Sequence, residues 1–224
     1  MPLRLLVLFF PVFIFVTAVG QPKKNDINIR TNILSWLEPN AGGPVLGMEY
    51  FINNKFSIGA DAGFIFYNLA RSESDKLANP LGYRIKPEIR YYLYKKNKVD
   101  PTRLFFALEG LYLKTRTLNY NDLPITDNMG NIVYYYIGGF NEYKKVVGAN
   151  IKFGIQIQRF MHKKMMIELY AGLGFRQKTY TYKDLPAGAL IEQRQQSELL
   201  LNTDIDGTYP SITGGFKLVY KIKN

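Results

Sequence analysis

The sequence contains no cysteine, one histidine and one tryptophan. After residue 20 it has no apolar run long enough to cross a bilayer as a helix, which takes about 20 residues. Each absence excludes something. Without cysteine there is no disulfide and no thiolate, so backbone pairing must hold the fold together. With His162 as the sole histidine, a transition-metal site has no second imidazole, and no cofactor is expected. A His–Ser catalytic pair, as in lipid-modifying enzymes, would have to use His162, which falls in a short turn and is better read as solvated there. Acidic residues are also few: 18 Asp and Glu stand against 29 Lys and Arg, for a formal charge of +11. No basic helix or zinc motif accompanies that excess, so nucleic acid is excluded as a partner. Phosphate-bearing lipid head groups are the natural counterpart.

The one long apolar run opens the chain. Arg4 supplies a positive start, Leu5 to Val16 an apolar middle broken by Pro11, and Ala18 and Gly20 the small residues that a signal peptidase requires. Residues 1–20 are therefore expected to be a secretory signal cleaved before Gln21, leaving residues 21–224 as one domain.

What is abundant is period-two alternation. In Val146–Gln158, Val147, Ala149, Ile151, Phe153, Ile155 and Ile157 share one face, while Gly148, Asn150, Lys152, Gly154, Gln156 and Gln158 share the other. Met165–Tyr182 repeats the pattern. Successive side chains of a strand point to opposite faces, so both runs read as strands. Each exceeds the roughly 9–11 residues that a tilted strand needs to cross a bilayer. Similar runs cover Asp26–Leu34, Val45–Ile52, Phe56–Tyr67, Gly82–Leu93, Leu104–Thr117 and Tyr209–Lys223, with a bulge expected at Pro87, which has no N–H for a ladder. The total is eight strands. Connections after odd strands are long and those after even strands mostly short, as in outer-membrane barrels with short periplasmic turns and long external loops. The 118–145 stretch carries a hairpin tip at Asp127–Asn131, so strands five and six are expected to extend beyond the membrane.

One face of these strands carries nearly all the mid-strand charge: Arg30, Glu49, Asp61, Arg84, Lys86, Glu88, Arg90, Glu109, Lys152, Glu168 and Arg176. A soluble barrel would turn this face to water and put the apolar face around a greasy ligand. A membrane barrel reverses the two. Frequent glycines on the charged face suit a narrow interior, and Tyr83, Tyr91, Tyr112 and Tyr209 near strand ends suit an aromatic girdle. The expected fold is thus all-β: an eight-stranded antiparallel up-and-down transmembrane barrel whose polar lumen is filled by an ion network.

Three segments carry a family resemblance. Asn28-Ile29-Arg30-Thr31-Asn32-Ile33-Leu34 resembles the opening "KTNLL" strand of the DUF3575 family of Bacteroidota outer-membrane barrels. Val45-Leu46-Gly47-Met48-Glu49-Tyr50 resembles its "LGLEF" strand, and Pro87-Glu88-Ile89-Arg90-Tyr91-Tyr92 its "PELRYW" strand. The resemblance implies an eight-stranded barrel in the Gram-negative outer membrane, inserted by the barrel assembly machinery, and brings no established activity. The chain departs from many such barrels by ending Tyr220-Lys221-Ile222-Lys223-Asn224 rather than on an aromatic.

The chemistry available is modest. Glu88, Glu109 and Glu168 could pair as acid and base, but interleaved cations make a structural salt-bridge lattice the better reading. Asp204-Ile205-Asp206-Gly207 opens like a calcium loop, yet its glycine comes too early and no terminal Glu follows. Lys114, Arg116, Lys144 and Lys145 are expected at the outer rim, within reach of lipopolysaccharide phosphates. Tyr134-Tyr135-Tyr136 gives the long external segment an aromatic surface for a glycan or protein. The expected function is that of a monomeric structural or surface-binding protein without catalysis. A lipid-modifying enzyme and a small channel are the alternatives.

Overall fold

The computed structural model describes residues 24–38, 41–67, 80–93, 102–127, 129–157, 164–189 and 206–223. The leader at 1–20 and the turn holding His162 lie outside them. The described residues form eight strands: β1 Ile27–Asn32, β2 Val45–Phe51, β3 Phe56–Ile65, β4 Leu81–Leu93, β5 Arg103–Thr126, β6 Ile132–Ile157, β7 Met165–Lys183 and β8 Gly207–Lys223. Each strand pairs antiparallel with the next, and β8 pairs back onto β1, so the sheet closes into a barrel. Closure leaves no free sheet edge along the shared part of the wall.

Alternation decides the two faces, and the apolar one points out. Leu46, Met48, Ile58, Phe64, Ile85, Ile89, Leu108, Ile151, Leu173, Phe175 and Ile212 are all exposed, Phe64 at 72% and Ile151 at 67%. Their strand neighbours Arg30, Glu49, Asp61, Arg84, Glu88, Arg90, Glu109, Lys152 and Glu168 are buried in the barrel interior. This is the inverse of a soluble protein, in which charged groups almost never sit fully inside.

The two ends differ. The β2–β3 turn, the last residues of β4, β6 and β8 and the first residues of β1, β5 and β7 lie at one end, here the turn end. At the opposite end β5 and β6 continue far past their neighbours. Their ladder runs from Arg103↔Gln156 to Thr126↔Ile132, whereas β4 leaves β5 at Leu81↔Arg116 and β7 leaves β6 at Asn141↔Lys183. The result is a projecting hairpin tipped at Asp127–Asn131, where the sequence placed it. The Asp127 carboxylate accepts the Met129 and Asn131 N–H groups at 2.8 and 2.9 Å. Those bonds, that of Asn131 foremost, hold it below the usual carboxylate range. Gly130 at φ +85° turns the chain there.

Three local expectations are corrected. The first strand was expected to reach Leu34 but stops at Asn32, and Ile33–Leu37 forms a 3-10 turn. Ser35 stabilises that turn by donating to the Asn32 carbonyl at 2.6 Å, so the apolar Ile33 and Leu34 continue no ladder. Pro87 makes no bulge: β3–β4 and β4–β5 keep constant register through it. Gly110 lies opposite, and a Cβ there would come within 3.2 Å of Pro87 Cγ, so the glycine makes room for the ring. Finally Tyr209 belongs to no outer girdle. It pairs with Arg176 and lies under Lys178, whose Nζ is 5.3 Å from its ring, on the inner face. Tyr83 and Tyr112, with ring centroids 6.0 Å apart, do face out at the hairpin end, and Tyr91 with Phe56 does so at the turn end.

Interior glycines follow from volume. A Cβ on Gly47 would lie 2.8 Å from Asp61 Cγ and 3.0 Å from Arg30 Cγ, so any side chain there displaces that ion pair. Gly214, on the outer face, has its nearest neighbour at 3.5 Å. Overpacking costs about 1–3 kcal/mol. Gly47→Val is therefore expected to lower the urea-unfolding midpoint clearly, while Gly214→Ala leaves it unchanged. Equal midpoints would contradict the tight interior.

Candidate functional site

The interior is organised around Glu88, contributed by β4. Arg30 Nη1 reaches its carboxylate at 3.3 Å, Lys152 Nζ at 3.2 Å and Lys217 Nζ at 3.9 Å, and Arg90 Nε donates to it as well. Four cations from four strands thus meet one carboxylate. The remaining acids complete the lattice. Asp61 accepts Arg30 Nε at 2.5 Å and Lys217 Nζ at 2.8 Å. Glu168 takes both terminal nitrogens of Arg90, at 2.7 and 2.8 Å, in the fork-to-fork geometry that makes arginine–carboxylate pairs strong. Lys152 also bonds Glu109, which accepts the Asn150 amide at 3.1 Å.

Register explains why this works. Glu88 and Glu109 are direct cross-strand partners, a like-charge pair that destabilises a sheet. Lys152 sits against both and neutralises them. Glu168 and Lys217 are direct partners of opposite sign. The remaining lone pairs find neutral donors: Glu49 accepts Ser57 Oγ and Tyr92 Oη, both at 2.6 Å, and Gln156 Nε2 donates to Glu168 at 3.0 Å. Aromatic faces cover the cations. The Arg90 guanidinium lies 4.4 Å from the Phe105 ring, and the Lys152 and Lys217 ammonium groups lie 4.6 and 5.0 Å from the Tyr170 ring.

Apolar clusters bound the lattice on both sides. Phe51, Tyr92, Phe105, Ala107 and Tyr170 pack at the turn end. Ala41, Ile65, Leu111, Leu113 and Val146 pack at the hairpin end. The ion pairs are thus buried between two apolar clusters, where the low local dielectric strengthens each pairing.

Of the eleven residues expected in the network, Arg30, Glu49, Asp61, Glu88, Arg90, Glu109, Lys152 and Glu168 are brought together as described. Arg84 is buried but acts apart, bonding Glu38 and the Ala41 carbonyl at the hairpin end. Lys86 is only half-buried and pairs with no described carboxylate, because its register partner Asp61 is taken by Arg30 and Lys217. Arg176 is inward but half-buried, and its Nε has no hydrogen-bond partner. Sequence reasoning missed Lys217. The signal was there, since Lys217 shares the charged face of β8 with Ser211, but one lysine on a face does not reveal its partners.

At the rim, Lys114, Arg116 and Lys145 point outward from the wall. Lys144 does not: alternation puts it on the opposite face from Lys145, with its Nζ 5.3 Å from the Tyr180 ring. Asp206 accepts the Tyr180 N–H at 2.6 Å, whereas Asp204 lies outside the described residues. Among the described residues no cluster of His, Cys, Asp and Glu could hold a metal ion.

The family described as a protein of unknown function (DUF3575) matches residues 5–206. The chain belongs to the DUF3575 family. The match spans β1 to β7, so Glu88 and most of the lattice lie within the DUF3575 region, while β8 with Lys217 lies beyond it. No curated protein and no solved structure matches the chain.

Removing one partner of a buried ion network costs about 3–5 kcal/mol. Glu88→Leu is expected to destabilise the folded barrel by that amount, because four cations lose their common anion. Ile89→Leu, on the exposed outer face one residue on, is expected to be nearly neutral. Urea-unfolding midpoints compare the two, and equal values would remove Glu88 from its central role.

Proposed function

We propose that this chain is an outer-membrane barrel that carries no solute and works through its projecting hairpin as a structural or surface-binding protein. The observation that carries the reading is the interior: an ion lattice of buried, mutually bonded side chains with an apolar cluster toward each end. An eight-stranded barrel is just wide enough for its own side chains. Here those side chains interlock, leaving no role for the lumen as a path. Glu88, Glu109 and Glu168 are engaged by cations in the lattice, so a structural role suits them better than acid–base catalysis.

Membrane insertion is supported by the outer wall, where exposed Ile, Leu, Phe and Met cover the strands between two aromatic levels. Such a wall in water would aggregate. With the hairpin end outermost, β5 and β6 stand clear of the membrane. There Met129, Ile132, Val133, Tyr134, Tyr135 and Ile137 are exposed, Ile137 at 80%. An exposed aromatic and apolar patch on a protruding element is an interaction surface, and exposed loops are where binding residues concentrate. A glycan or protein at the cell surface is the partner it suits.

Two measurements test the proposal. The purified protein is expected to show no steady conductance in a planar bilayer; stable single-channel steps would overturn the closed lumen. On a glycan array, any binding by the native protein is expected to vanish in a Tyr134→Ser/Tyr135→Ser variant that retains heat-modifiable gel mobility. Binding that survives the substitution would move the site away from the hairpin.

A further inference from the structure

Outside the lattice, the strongest unexplained feature is a cluster of cations on the outer wall. Lys114 on β5 and Lys145 on β6 are direct cross-strand partners, and both are exposed. Like charges placed directly opposite destabilise a sheet, because their Cβ atoms are only about 5 Å apart. In the lattice the equivalent conflict between Glu88 and Glu109 is relieved by Lys152. Here nothing relieves it: among the described residues neither lysine forms an ion pair with a carboxylate. The outward register neighbours are neutral, Tyr83 on β4 and Thr179 on β7. Two positions further along the same face stand Arg116 and, across Tyr143, Lys183, whose Nζ is 5.5 Å from the Tyr143 ring. Arg116 Nε donates to Asn141 Oδ1 at 2.8 Å, and Asn141 in turn donates to Asp184.

Position gives the cluster its meaning. Tyr112, with Lys145 Nζ 5.9 Å from its ring, lies directly below Lys114 on the outer face, and Leu108 and Phe106 continue the same face toward the turn end. The cations therefore stand just past the Tyr83–Tyr112 pair at the upper part of the apolar wall, with exposed Leu81 paired to Arg116. We propose that Lys114, Lys145, Arg116 and Lys183 form a binding site for the phosphate of a membrane lipid headgroup, with the lipid's acyl chains lying against the apolar wall beneath. The site rests on the membrane reading above. An anion between Lys114 and Lys145 supplies the counter-charge that the sheet lacks. Continuity with the apolar wall selects a lipid over free phosphate, which would gain nothing from that wall.

The probe is a lipid bearing phosphomonoesters, diluted into phosphatidylcholine vesicles. Three proteins are compared: wild type, a Lys114→Gln/Lys145→Gln variant, and Lys55→Gln in the turn at the opposite end. Vesicle flotation reads insertion, and native mass spectrometry after detergent extraction reads retained phosphorylated lipid. All three are expected to float, with retention falling about thirty-fold in the double variant, roughly five-fold per cation removed, and unchanged for Lys55→Gln. Equal retention by all three overturns the site while leaving the membrane reading intact. Failure of all three to float overturns the membrane reading and the site together. Displacement of the lipid by inorganic phosphate at equal concentration overturns the lipid as ligand. If the double variant does not fold, an Arg116→Gln/Lys183→Gln variant is read in the same way.

Discussion

Glu88 gathers Arg30, Arg90, Lys152 and Lys217 inside a closed wall of strands, and most of the structure depends on that gathering. A buried carboxylate with four cations around it tolerates neither water nor an empty place in its shell. Breaking such a network leaves charges stranded at low dielectric, whereas replacing it wholesale by well-packed apolar groups is often neutral. The lattice is therefore better regarded as a device for specificity than as a reservoir of stability. Each strand must present its charge at one height and on one face. A one-residue slip in any strand would put lattice charges on the outer wall and apolar side chains in the lumen. Register, closure and the inside-out polarity of the wall are in this sense one constraint.

The same constraint bears on the proposed function. With the lumen filled by its own side chains, that proposal leaves the wall, its rims and the hairpin as the surfaces for other molecules. These surfaces differ in chemistry along one strand pair. On β5 and β6 the outer face passes from Phe106 and Phe153 through Tyr112 to Lys114 and Lys145, and on to the exposed tyrosines beyond Gly138. Lipid tail, headgroup and external medium are met in that order in the proposed setting. One continuous ladder then carries three environments, which explains why β5 and β6 are the longest strands described.

Much of this was legible in the sequence because strand alternation is a strict geometric rule. Ile151 and Lys152 cannot share a face, so once one wall was recognised as apolar the other was settled with it. The projecting hairpin was legible through Asp127–Asn131, whose turn residues stand between two alternating runs. What was not legible depended on contacts between strands distant in sequence. Lys217 lies 156 residues from Asp61, and only barrel closure through β8 brings them to 2.8 Å. Lys86 looked equivalent to Lys152, yet competition for Asp61 leaves it out. Pro87 called for a bulge on local grounds, and Gly110 across the ladder removes the need. Ile33 and Leu34 fit the strand pattern, but the Ser35 hydroxyl ends it. Lys183 was passed over at the rim because it follows Lys145 by a whole strand and a turn.

The central claim is that the charged face is sealed inside while the apolar face lies in lipid, and the absence of native cysteine makes it directly measurable. Single cysteines placed at each position from Val147 to Ile157 on β6 would each be unique in the chain. Spin-labelled and reconstituted in bilayers, these variants report collision with oxygen, which concentrates in lipid, and with a water-soluble nickel chelate. The account predicts a period of two: labels at 147, 149, 151, 153, 155 and 157 reach oxygen, and labels at the alternate positions reach neither reagent. Access of the nickel chelate to the labels at 151, 153 and 155 would place the apolar wall in water and contradict it.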